Sequence, residues 1–383
     1  MKPLIKWPGG KSSEIRQFLP LIPDYERYIE PFAGGAALCF YLNPEKALLN
    51  DTSEYLMDFY RLIKEQDSGF KSLLDEQCRS FSALKTACDR EYTQIRALFE
   101  LYEYAVKKGM NLSKLRLHEP LVKDIVLREE VRGSLISDEQ EYLEILAASV
   151  KDKLERTVRL QMKKPLSEKD LRGNLVTGFT SGYYLYFRKI FNDIAAGRII
   201  ASRAWRSANF YFIREYCYGS MFRYNRDGDF NIPYGGISYN RKDMAAKIAH
   251  MFSPDVASLL SRTGLYCKDF EEFLEEVSPT EQDFLFLDPP YDTEFSDYEG
   301  KSFGKDDQYR LAEYLKGTKA RFLLVIKNTE YIYRLYDGAF RILAFENRYM
   351  YNMRSRNERK SEHLIITNLP EGEVPWLREN VTV

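Results

Sequence analysis

The tetrapeptide Asp288-Pro289-Pro290-Tyr291 has the residue types that chemistry on a planar amino group requires. A carboxylate accepts one N–H of such a group, a carbonyl fixed by proline accepts the other, and an aromatic ring stacks on its plane. The tetrapeptide follows the apolar run 284–287, which predicts a buried parallel strand. Because open α/β folds bind ligands at this end of their strands, the pattern indicates a site for a nucleobase amine. A proline-stiffened turn in which Tyr291 only packs explains these four residues equally well.

Composition limits the class of protein. The length of 383 residues predicts a main domain with a large insertion or a second domain. The five cysteines lack C-x-x-C spacing and the three histidines lie far apart, which predicts neither a disulfide framework nor a metal site. The first residues do not form a signal peptide, and no apolar run approaches the thickness of a bilayer. We therefore expect a soluble cytoplasmic protein with no membrane partner.

Charge is unevenly distributed along a chain whose formal net charge is −1. Residues 151–226 contain 16 Lys and Arg against 6 Asp and Glu, whereas residues 269–300 contain 12 acidic residues and no Lys or Arg. Aromatic residues are interleaved with the basic tract, which suits phosphate contact combined with base stacking. Basic amphipathic helices with a solvated face are the alternative, and charge alone favours them. The aromatic residues concerned are Trp205, Phe210, Tyr211, Phe212, Tyr216, Phe222 and Tyr224.

The order of patterns predicts two α/β portions separated by a helical lobe. Residues 1–60 alternate strand and helix patterns, residues 55–200 show helical spacing of apolar residues, and the alternation resumes after residue 262. An Asp-Gly pair at 227–228 lies between two aromatic-rich segments and predicts a hairpin over 221–233. The later elements are predicted as strands near 264–268, 284–287, 322–326 and 363–368 and helices near 271–276 and 307–315.

Three further segments have residue types that suit a nucleoside-containing ligand. The small-residue turn 32–36 permits close backbone approach, and Asp51 follows it at about 20 residues, where an acidic residue reaches ribose hydroxyls in doubly wound folds. The loop 6–11 is not a phosphate loop, but Trp7 and Lys11 could close over an amino-acid-like ligand whose carboxylate faces the lysine. Asp269 and Phe270 offer a carboxylate and a ring to adenine. The alternatives are a tight turn, helix caps and core packing.

Six motifs together resemble Dam-like (D12 class) DNA adenine-N6 methyltransferases, in the order expected for that family. The segment 218–235 also resembles the family's DNA-recognition hairpin, and residues 354–357 resemble its late basic loop. The resemblance covers residues 1–65 and 205–370. The six motifs are Lys6-Trp7-Pro8-Gly9-Gly10-Lys11, Glu30-Pro31-Phe32-Ala33-Gly34-Gly35, Asn50-Asp51, Asp269-Phe270, Asp288-Pro289-Pro290-Tyr291 and Leu324-Val325-Ile326-Lys327-Asn328.

The resemblance implies an α/β fold with a Rossmann-like methyltransferase sheet and an inserted, mainly helical target-recognition lobe that carries a β-hairpin. Residues 1–65 and 250–383 would form the discontinuous catalytic domain, and residues 66–249 the insertion, with the hairpin at about 218–237. S-adenosylmethionine would be the methyl donor, and no metal would be required. The residues implied for its binding are Trp7, Lys11, Phe32, Gly34, Asp51, Asp269, Phe270 and Asp288.

The resemblance also implies how the substrate is bound. An adenine would flip out of duplex DNA, Asp288 and the Pro289 carbonyl would orient its amine, and Tyr291 would stack on the base, with Pro290 completing the tetrapeptide. A cognate restriction endonuclease is a possible partner. The setting implied is a restriction-modification system, a solitary epigenetic enzyme or a phage enzyme. The residues implied for DNA contact are Arg223, Asn225, Asn231, Pro233, Arg354 and Arg356.

Departures from the family pattern limit what the resemblance predicts. Ala36 replaces the last glycine of the cofactor turn, which is a mild change where φ is below zero. Gly219, Gly236 and Ile237 occupy hairpin positions where members that read GATC have polar or aromatic side chains, which argues against GATC as the target. The region 66–204 has no motif and is open to three interpretations: DNA-binding surface, partner platform or padding.

Two other functions remain open at this point. The tetrapeptide fits any planar amine, so methylation of RNA adenine is one alternative. A catalytically silent DNA-binding specificity subunit is another. The intact Asp288 and Tyr291 argue against a silent relative, and the hairpin argues against RNA, although only by analogy.

Overall fold

The computed structural model describes residues 1–12, 14–111, 115–290, 303–348 and 360–370. The chain forms two compact units. The first contains Met1–Gln66 and Met251–Val383, and the second contains Asp67–His250. Both ends of the chain therefore contribute to the first unit.

The first unit is built on a mostly parallel seven-stranded sheet within the described residues. The strand order is β3-β2-β1-β4-β5-β7-β6, in which β7 is antiparallel to both of its neighbours and the first five strands are parallel. This arrangement confirms the predicted α/β fold. The strands are β1 (Arg27–Glu30), β2 (Ala47–Asn50), β3 (Thr263–Tyr266), β4 (Asp283–Leu287), β5 (Arg321–Lys327), β6 (Arg341–Arg348) and β7 (Lys360–Thr367).

Continuous apolar runs explain the central strands, because parallel strands are covered on both faces. All five residues of β4 and the five inner residues of β5 are buried. The predicted strands 284–287 and 322–326 lie inside β4 and β5, and the strands predicted near 264–268 and 363–368 correspond to β3 and β7. β6 has no counterpart among the predicted strands.

Helices cover the sheet of the first unit, and the predictions near 271–276 and 307–315 are confirmed by α13 and α14. One hydrophobic core cluster joins these two helices and α15 to β1, β4, β5 and β7. The helices are α1 (Ile15–Phe18), α2 (Ala37–Leu42), α3 (Glu54–Lys64), α12 (Pro254–Ser261), α13 (Phe270–Val277), α14 (Lys305–Gly317) and α15 (Glu330–Tyr336).

The strand order determines where a ligand site can form. β1 pairs with β2 on one side and with β4 on the other, so the chain connections reverse direction at this point of the sheet. Ligands of doubly wound folds bind at such a switch point, outside the carboxyl ends of the strands. The residues that follow β1, β2, β3 and β4 are therefore brought to one edge of the sheet.

The second unit is helical, as predicted for residues 55–200. Its two longest helices, α8 and α9, pack closely because Gly182 has no side chain: a Cβ there would lie 2.9 Å from the Leu146 Cα. The helices are α4 (Ser68–Arg90), α5 (Tyr92–Lys107), α6 (Glu119–Val126), α7 (Glu129–Arg132), α8 (Glu139–Lys163), α9 (Glu168–Ala195) and α10 (Arg203–Tyr216); α11 (Met244–Met251) spans the boundary between the units.

Most aromatic residues of the basic tract are core residues, which favours amphipathic helices over base stacking among the two interpretations of this tract. Five of them lie on α10, and four of these five are at most 1% exposed. Two of the four, Phe212 and Tyr216, pack in an aromatic core with residues of α4 and α9 such as Phe81, Tyr183 and Phe187. The four are Phe210, Tyr211, Phe212 and Tyr216; Trp205, Phe222 and Tyr224 are half-buried. Helical spacing places these large side chains on the buried side of α10.

The predicted hairpin is present as an irregular ribbon, and the described residues contain no regular strand in it. Two isolated antiparallel bridges join its arms, Cys217 with Tyr234 and Tyr224 with Phe230. We use "the hairpin" below for residues 217–234.

No helix in the described part of the chain is both long enough and apolar enough to span a membrane.

Candidate active site

An ion pair joins the N-terminal loop to the end of β4. The Lys11 Nζ lies 2.5 Å from the Asp288 Oδ1 and also donates to the Gly9 carbonyl at 3.0 Å. The Lys11 side chain is 2% exposed and that of Asp288 is 17% exposed. Burial raises the pKa of the Asp288 carboxyl, and the Lys11 ammonium opposes that shift. Two residues that the sequence analysis assigned to one ligand are thus in direct contact.

A second buried contact fixes the segment that follows Lys11. The Glu14 Oε2 lies 3.2 Å from the His363 Nδ1 of β7, and both residues are buried. Backbone N–H groups of Glu14 and Ile15 also donate to the Lys11 carbonyl. The chain is therefore attached to the sheet at Lys11 and again three residues later.

The turn after β1 is fixed from three directions. The Gly34 N–H donates to the Asp51 Oδ2 at 3.0 Å, and the Tyr60 hydroxyl donates to the Gly34 carbonyl at 3.0 Å. Trp7 packs over this glycine so closely that a Cβ at position 34 would lie 2.6 Å from the Trp7 Cδ1. The other carboxylate oxygen of Asp51 accepts from the Ser53 N–H at 2.9 Å. Trp7, Gly34 and Asp51 are therefore neighbours.

Ala36 corrects the expectation for the last residue of this turn. Its φ is +47° and its ψ is +39°, a left-handed conformation that favours glycine. The Cβ of an alanine crowds the following carbonyl in this region, at a cost of about 1–2 kcal/mol. The replacement of glycine is therefore a strained one.

Asn50 is a buried residue whose role the sequence analysis did not identify. Its Nδ2 donates to the carbonyls of Pro31 and Lys268, both at 3.0 Å, and its Oδ1 accepts from the Lys268 N–H at 2.9 Å. A side-chain amide can serve both types of backbone group at once. Asn50 therefore ties together the chain segments that leave β1, β2 and β3. The motif Asn50-Asp51 was the available signal.

Asp269 and Phe270 lie at the start of α13. The Asp269 Oδ1 accepts from the Glu271 N–H at 3.0 Å and from the Arg310 Nη2 at 2.6 Å. The Phe270 ring is buried, and its centroid lies 5.5 Å from that of Phe32. Cap and core roles are thus present at this pair, which gives both side chains fixed orientations. No motif contained Arg310.

A glutamine of α14 supports the tetrapeptide. The Gln308 Nε2 donates to the Pro290 carbonyl at 2.9 Å, and Gln308 is fully buried. Pro289 is buried between Asp288 and this contact. Tyr291 lies outside the described residues, as do Arg354 and Arg356 of the late basic loop. Gln308 has no sequence signal apart from its place in a helix.

Glu30 is a buried carboxyl at the end of β1. It is 2% exposed, and its Oε2 accepts from the Tyr28 hydroxyl at 3.0 Å. Burial raises the pKa of the Glu30 carboxyl well above its usual range; the Tyr28 hydrogen bond opposes this shift, and the charges of Asp288 and Asp51 add to it. Burial therefore favours the protonated form of this carboxyl at the end of β1.

Four of the six residues predicted to contact DNA, Arg223, Asn225, Asn231 and Pro233, lie in the second unit, on the hairpin. The Arg223 Nε donates to the Asn231 Oδ1 at 3.0 Å, so these two side chains from opposite arms form a pair. The Asn225 Oδ1 instead accepts from the N–H groups of Asp227 and Asp229, which closes the hairpin turn. Pro233 is exposed. Asn225 thus has a structural role that its motif did not predict.

Comparison with known proteins gives one family and several relatives. A profile of the family described as D12 class N6 adenine-specific DNA methyltransferase matches residues 7–131 and 124–351. The chain is 26% identical over 375 residues to the type II methyltransferase M.CviBI of Paramecium bursaria Chlorella virus NC1A, which covers 96% of this chain and 100% of that protein. It is 24% identical over 357 residues to the type II methyltransferase M.MjaIII of Methanocaldococcus jannaschii, covering 88% and 89%. A shorter match, 34% over 111 residues, is to the retron Ec67 DNA adenine methylase of Escherichia coli and covers 29% and 36%.

Replacing Glu30 with Gln is expected to change how stability depends on pH. A raised folded-state pKa means that this carboxyl stabilises the fold most below its usual pKa of 4.5 and that the contribution is lost as pH rises toward the folded pKa. Glu30→Gln has no carboxyl to ionise, so it does not lose this stabilisation as pH rises. The free energy of unfolding of the variant minus that of the wild type should therefore increase by up to about 1.4 kcal/mol per pH unit. Urea denaturation between pH 5 and 8 measures the difference. The exposed Glu45→Gln is the charge control, and a difference that does not vary with pH would contradict the assignment.

Relief of backbone strain is expected from Ala36→Gly. Because residue 36 has a positive φ, glycine should raise the free energy of unfolding by about 1 kcal/mol. The neighbouring helical substitution Ala37→Gly should lower it by about 0.5–1 kcal/mol, since glycine there gains only backbone entropy in the unfolded chain. Urea denaturation of both variants tests the two signs, and destabilisation by both would show that the turn is not strained at residue 36.

Proposed function

Because the chain belongs to the D12 class N6 adenine-specific DNA methyltransferase family, we propose that it transfers a methyl group from S-adenosylmethionine to the N6 atom of a specific adenine in duplex DNA. The observation that carries this proposal is the buried Lys11–Asp288 ion pair at the carboxyl end of β4. It joins the family's N-terminal loop to the family's Asp-Pro-Pro-Tyr sequence at the switch point of a parallel sheet.

The residues around this ion pair fit the chemical groups of S-adenosylmethionine. When bound, this molecule supplies an activated methyl group on a sulfonium. Lys11 offers a cation to its carboxylate, and Asp288 an acceptor to its ammonium group. The Gly34 turn, which Tyr60 and Asp51 fix, packs against the Trp7 ring, so the turn and this ring would border the bound molecule together.

The nucleoside part has its own set of residues. Phe32 and Phe270 form an apolar aromatic pair with ring centroids 5.5 Å apart, which suits the face of adenine. We assign Asp51 to the ribose hydroxyls and Asp269 to the adenine amine, because carboxylates accept hydrogen bonds from both groups. Arg310 fixes the carboxylate of Asp269 in one orientation. Trp7 would cover this side of the site from the N-terminal loop.

Asp288 and the Pro289 carbonyl have the main role toward the substrate amine. Each accepts one N–H, which directs the nitrogen lone pair out of the plane of the base. Burial raises the pKa of Asp288 and so makes its carboxylate a stronger acceptor. Gln308 holds the Pro290 carbonyl and thereby the backbone of the tetrapeptide. Positioning supplies most of the catalysis in such a displacement.

Duplex DNA is the proposed partner, and the hairpin is the proposed reader of its sequence. Arg223 is exposed, and the bond from its Nε to Asn231 orients the guanidinium. An oriented guanidinium suits a bidentate bond to guanine. Asn225, Asn231 and Pro233 would contribute further contacts from the same ribbon. Arg354 and Arg356 are assigned to the phosphate backbone on the family resemblance alone.

Labelled S-adenosylmethionine offered to separate pools of duplex DNA, RNA and protein tests the proposed function. We expect label in duplex DNA, at N6 of adenine, in one sequence context. Label in RNA alone would instead establish the RNA methyltransferase, and no label with retained DNA binding would establish the silent specificity subunit.

Replacement of the central carboxylate is expected to abolish transfer without abolishing binding. Asp288→Asn keeps the size of the side chain but removes the charge and one acceptor site, so kcat should fall by at least about 100-fold. Binding of duplex DNA, measured by fluorescence anisotropy, should change little. Asp283→Asn is the matched control because it removes a buried, arginine-paired carboxylate at the other end of β4. It should lower stability but leave the rate per folded molecule unchanged; equal rates for both variants would remove Asp288 from the mechanism.

Base discrimination is expected to depend on Arg223. Arg223→Ala should reduce discrimination at one base pair of the target by about 1–3 kcal/mol. Arg226→Ala removes the same charge from the exposed hairpin turn and should weaken binding to all sequences alike. Competition binding with single-base-pair variants of the mapped target measures both effects. A uniform loss for Arg223→Ala would make it a phosphate contact.

A further inference from the structure

The hairpin has few hydrogen bonds of its own. Only isolated bridges join its arms, with backbone bonds such as the Asn231 N–H to the Arg223 carbonyl at 3.2 Å and the Asn225 N–H to the Asp229 carbonyl at 2.9 Å. Isolated two-stranded ribbons are at best marginally stable in water. The orientation of the hairpin must therefore depend on contacts with the rest of its unit.

Three side chains of α9 supply such contacts to the second arm. The Asn192 Nδ2 donates to the Phe230 carbonyl at 3.2 Å, and its Oδ1 accepts from the Phe230 N–H at 2.9 Å. The Arg188 Nη1 and the Tyr184 hydroxyl both donate to the Ile232 carbonyl, at 3.1 and 2.9 Å. We call these four bonds the α9 contact set.

The spacing of this set matches a strand edge to a helix face. Residues 184, 188 and 192 are four apart and lie on one face of α9. Phe230 and Ile232 are two apart in an extended segment, so their backbone N–H and C=O groups point to the same side of it. The Asn192 amide makes the donor and acceptor bonds that a peptide of an adjacent strand would make. The helix thus replaces the missing neighbouring strand.

The first arm is held by a buried arginine of α10. Arg214 is 1% exposed, and its Nη1 and Nη2 donate to the carbonyls of Met221 and Ser220 at 3.0 and 2.8 Å. Its guanidinium carbon lies 3.6 Å from the ring centroid of Phe222. α10 therefore contacts the first arm directly before Arg223, and α9 contacts the second arm on both sides of Asn231.

Along the second arm, buried residues that α9 contacts alternate with residues that are more accessible to solvent. Phe230 and Ile232 are at most 1% exposed, whereas Asn231 is half-buried and Pro233 is exposed. Because successive side chains of an extended segment point in opposite directions, fixing residues 230 and 232 also fixes the direction of residues 231 and 233. Arg223 is fixed in turn by its bond to Asn231.

We propose that Asn192, Arg188 and Tyr184 are positioning residues for target recognition, and that the helical insertion serves to orient the hairpin on DNA. This inference rests on the proposed function, since it assigns a role in reading DNA to a surface that would otherwise only be structural. It replaces the three interpretations left open for residues 66–204 with one for α9: the helix is a scaffold for recognition.

Two matched pairs of variants on α9 test the inference. Asn192→Leu removes both bonds to Phe230, whereas Asn174→Leu removes an amide that donates to the Asp170 carbonyl of its own helix. Tyr184→Phe removes one hydroxyl bonded to the hairpin, whereas Tyr186→Phe removes a buried hydroxyl that has no hydrogen-bond partner among the described residues. Circular dichroism and thermal denaturation establish that each variant is folded.

Amide hydrogen exchange of residues 222–234 is the first readout, and it requires neither DNA nor activity. We expect exchange to be about tenfold faster in Asn192→Leu, since two of the bonds that hold the arm are lost, and about threefold faster in Tyr184→Phe. The two control variants should stay within twofold of the wild type. Unchanged exchange in Asn192→Leu would overturn the inference.

Methyl transfer is the second readout, with the mapped target and with a target altered at one base pair. Asn192→Leu should raise KM for the mapped target and reduce discrimination between the two DNAs by about tenfold, with little change in kcat and in S-adenosylmethionine binding. Faster exchange with unchanged KM and discrimination would overturn the recognition role. If the wild type methylates no DNA, the proposed function fails, and hydrogen exchange still decides whether α9 holds the hairpin.

Discussion

The ion pair between Lys11 and Asp288 is the interaction on which the first unit's site depends. An ammonium that is 2% exposed requires a compensating carboxylate, because an unpaired buried charge is strongly destabilising. The two residues are 277 positions apart in the sequence, so their contact also brings the N-terminal loop to the edge of the sheet. The position of the N-terminal loop, the position of the end of β4 and the balance of the two buried charges therefore depend on one another.

The same edge of the sheet must accommodate several acidic side chains close to one another. Repulsion is limited in a different way at each of them: an ammonium pairs with Asp288, two backbone N–H groups donate to Asp51, a guanidinium pairs with Asp269, and burial favours the uncharged form of Glu30 by raising its pKa. This variety limits mutual repulsion while leaving acceptors in fixed directions. A ligand with hydroxyls, amines and one carboxylate can then be bound by groups that need little rearrangement.

How much the sequence predicts depends on whether the signal is local. The strand before Asp288 and the small-residue turn were predicted because apolar runs and glycines act through their own backbone. Asn50, Gln308 and Arg310 were not, because their partners lie far away in sequence and their residue types are common on helices and strand ends. The aromatic residues of α10 were left with two interpretations for a related reason: composition shows that rings are present, and only packing decides whether they face a core or a ligand.

The helical unit shows what such long-range contacts achieve. On α9, Arg188 and Asn192 are polar residues spaced by four on a helix whose neighbouring positions are largely buried, and that spacing is the one local signal of their role. Their partners are backbone groups, so the contact does not restrict which side chains the hairpin presents. Residues 231 and 233 can therefore vary while the backbone stays in place. In the proposed function, Asp288 of the first unit would bind the amine that every target adenine has, whereas the α9 contact set lies in the other compact unit. One chemistry can thus be retained while the recognised sequence changes.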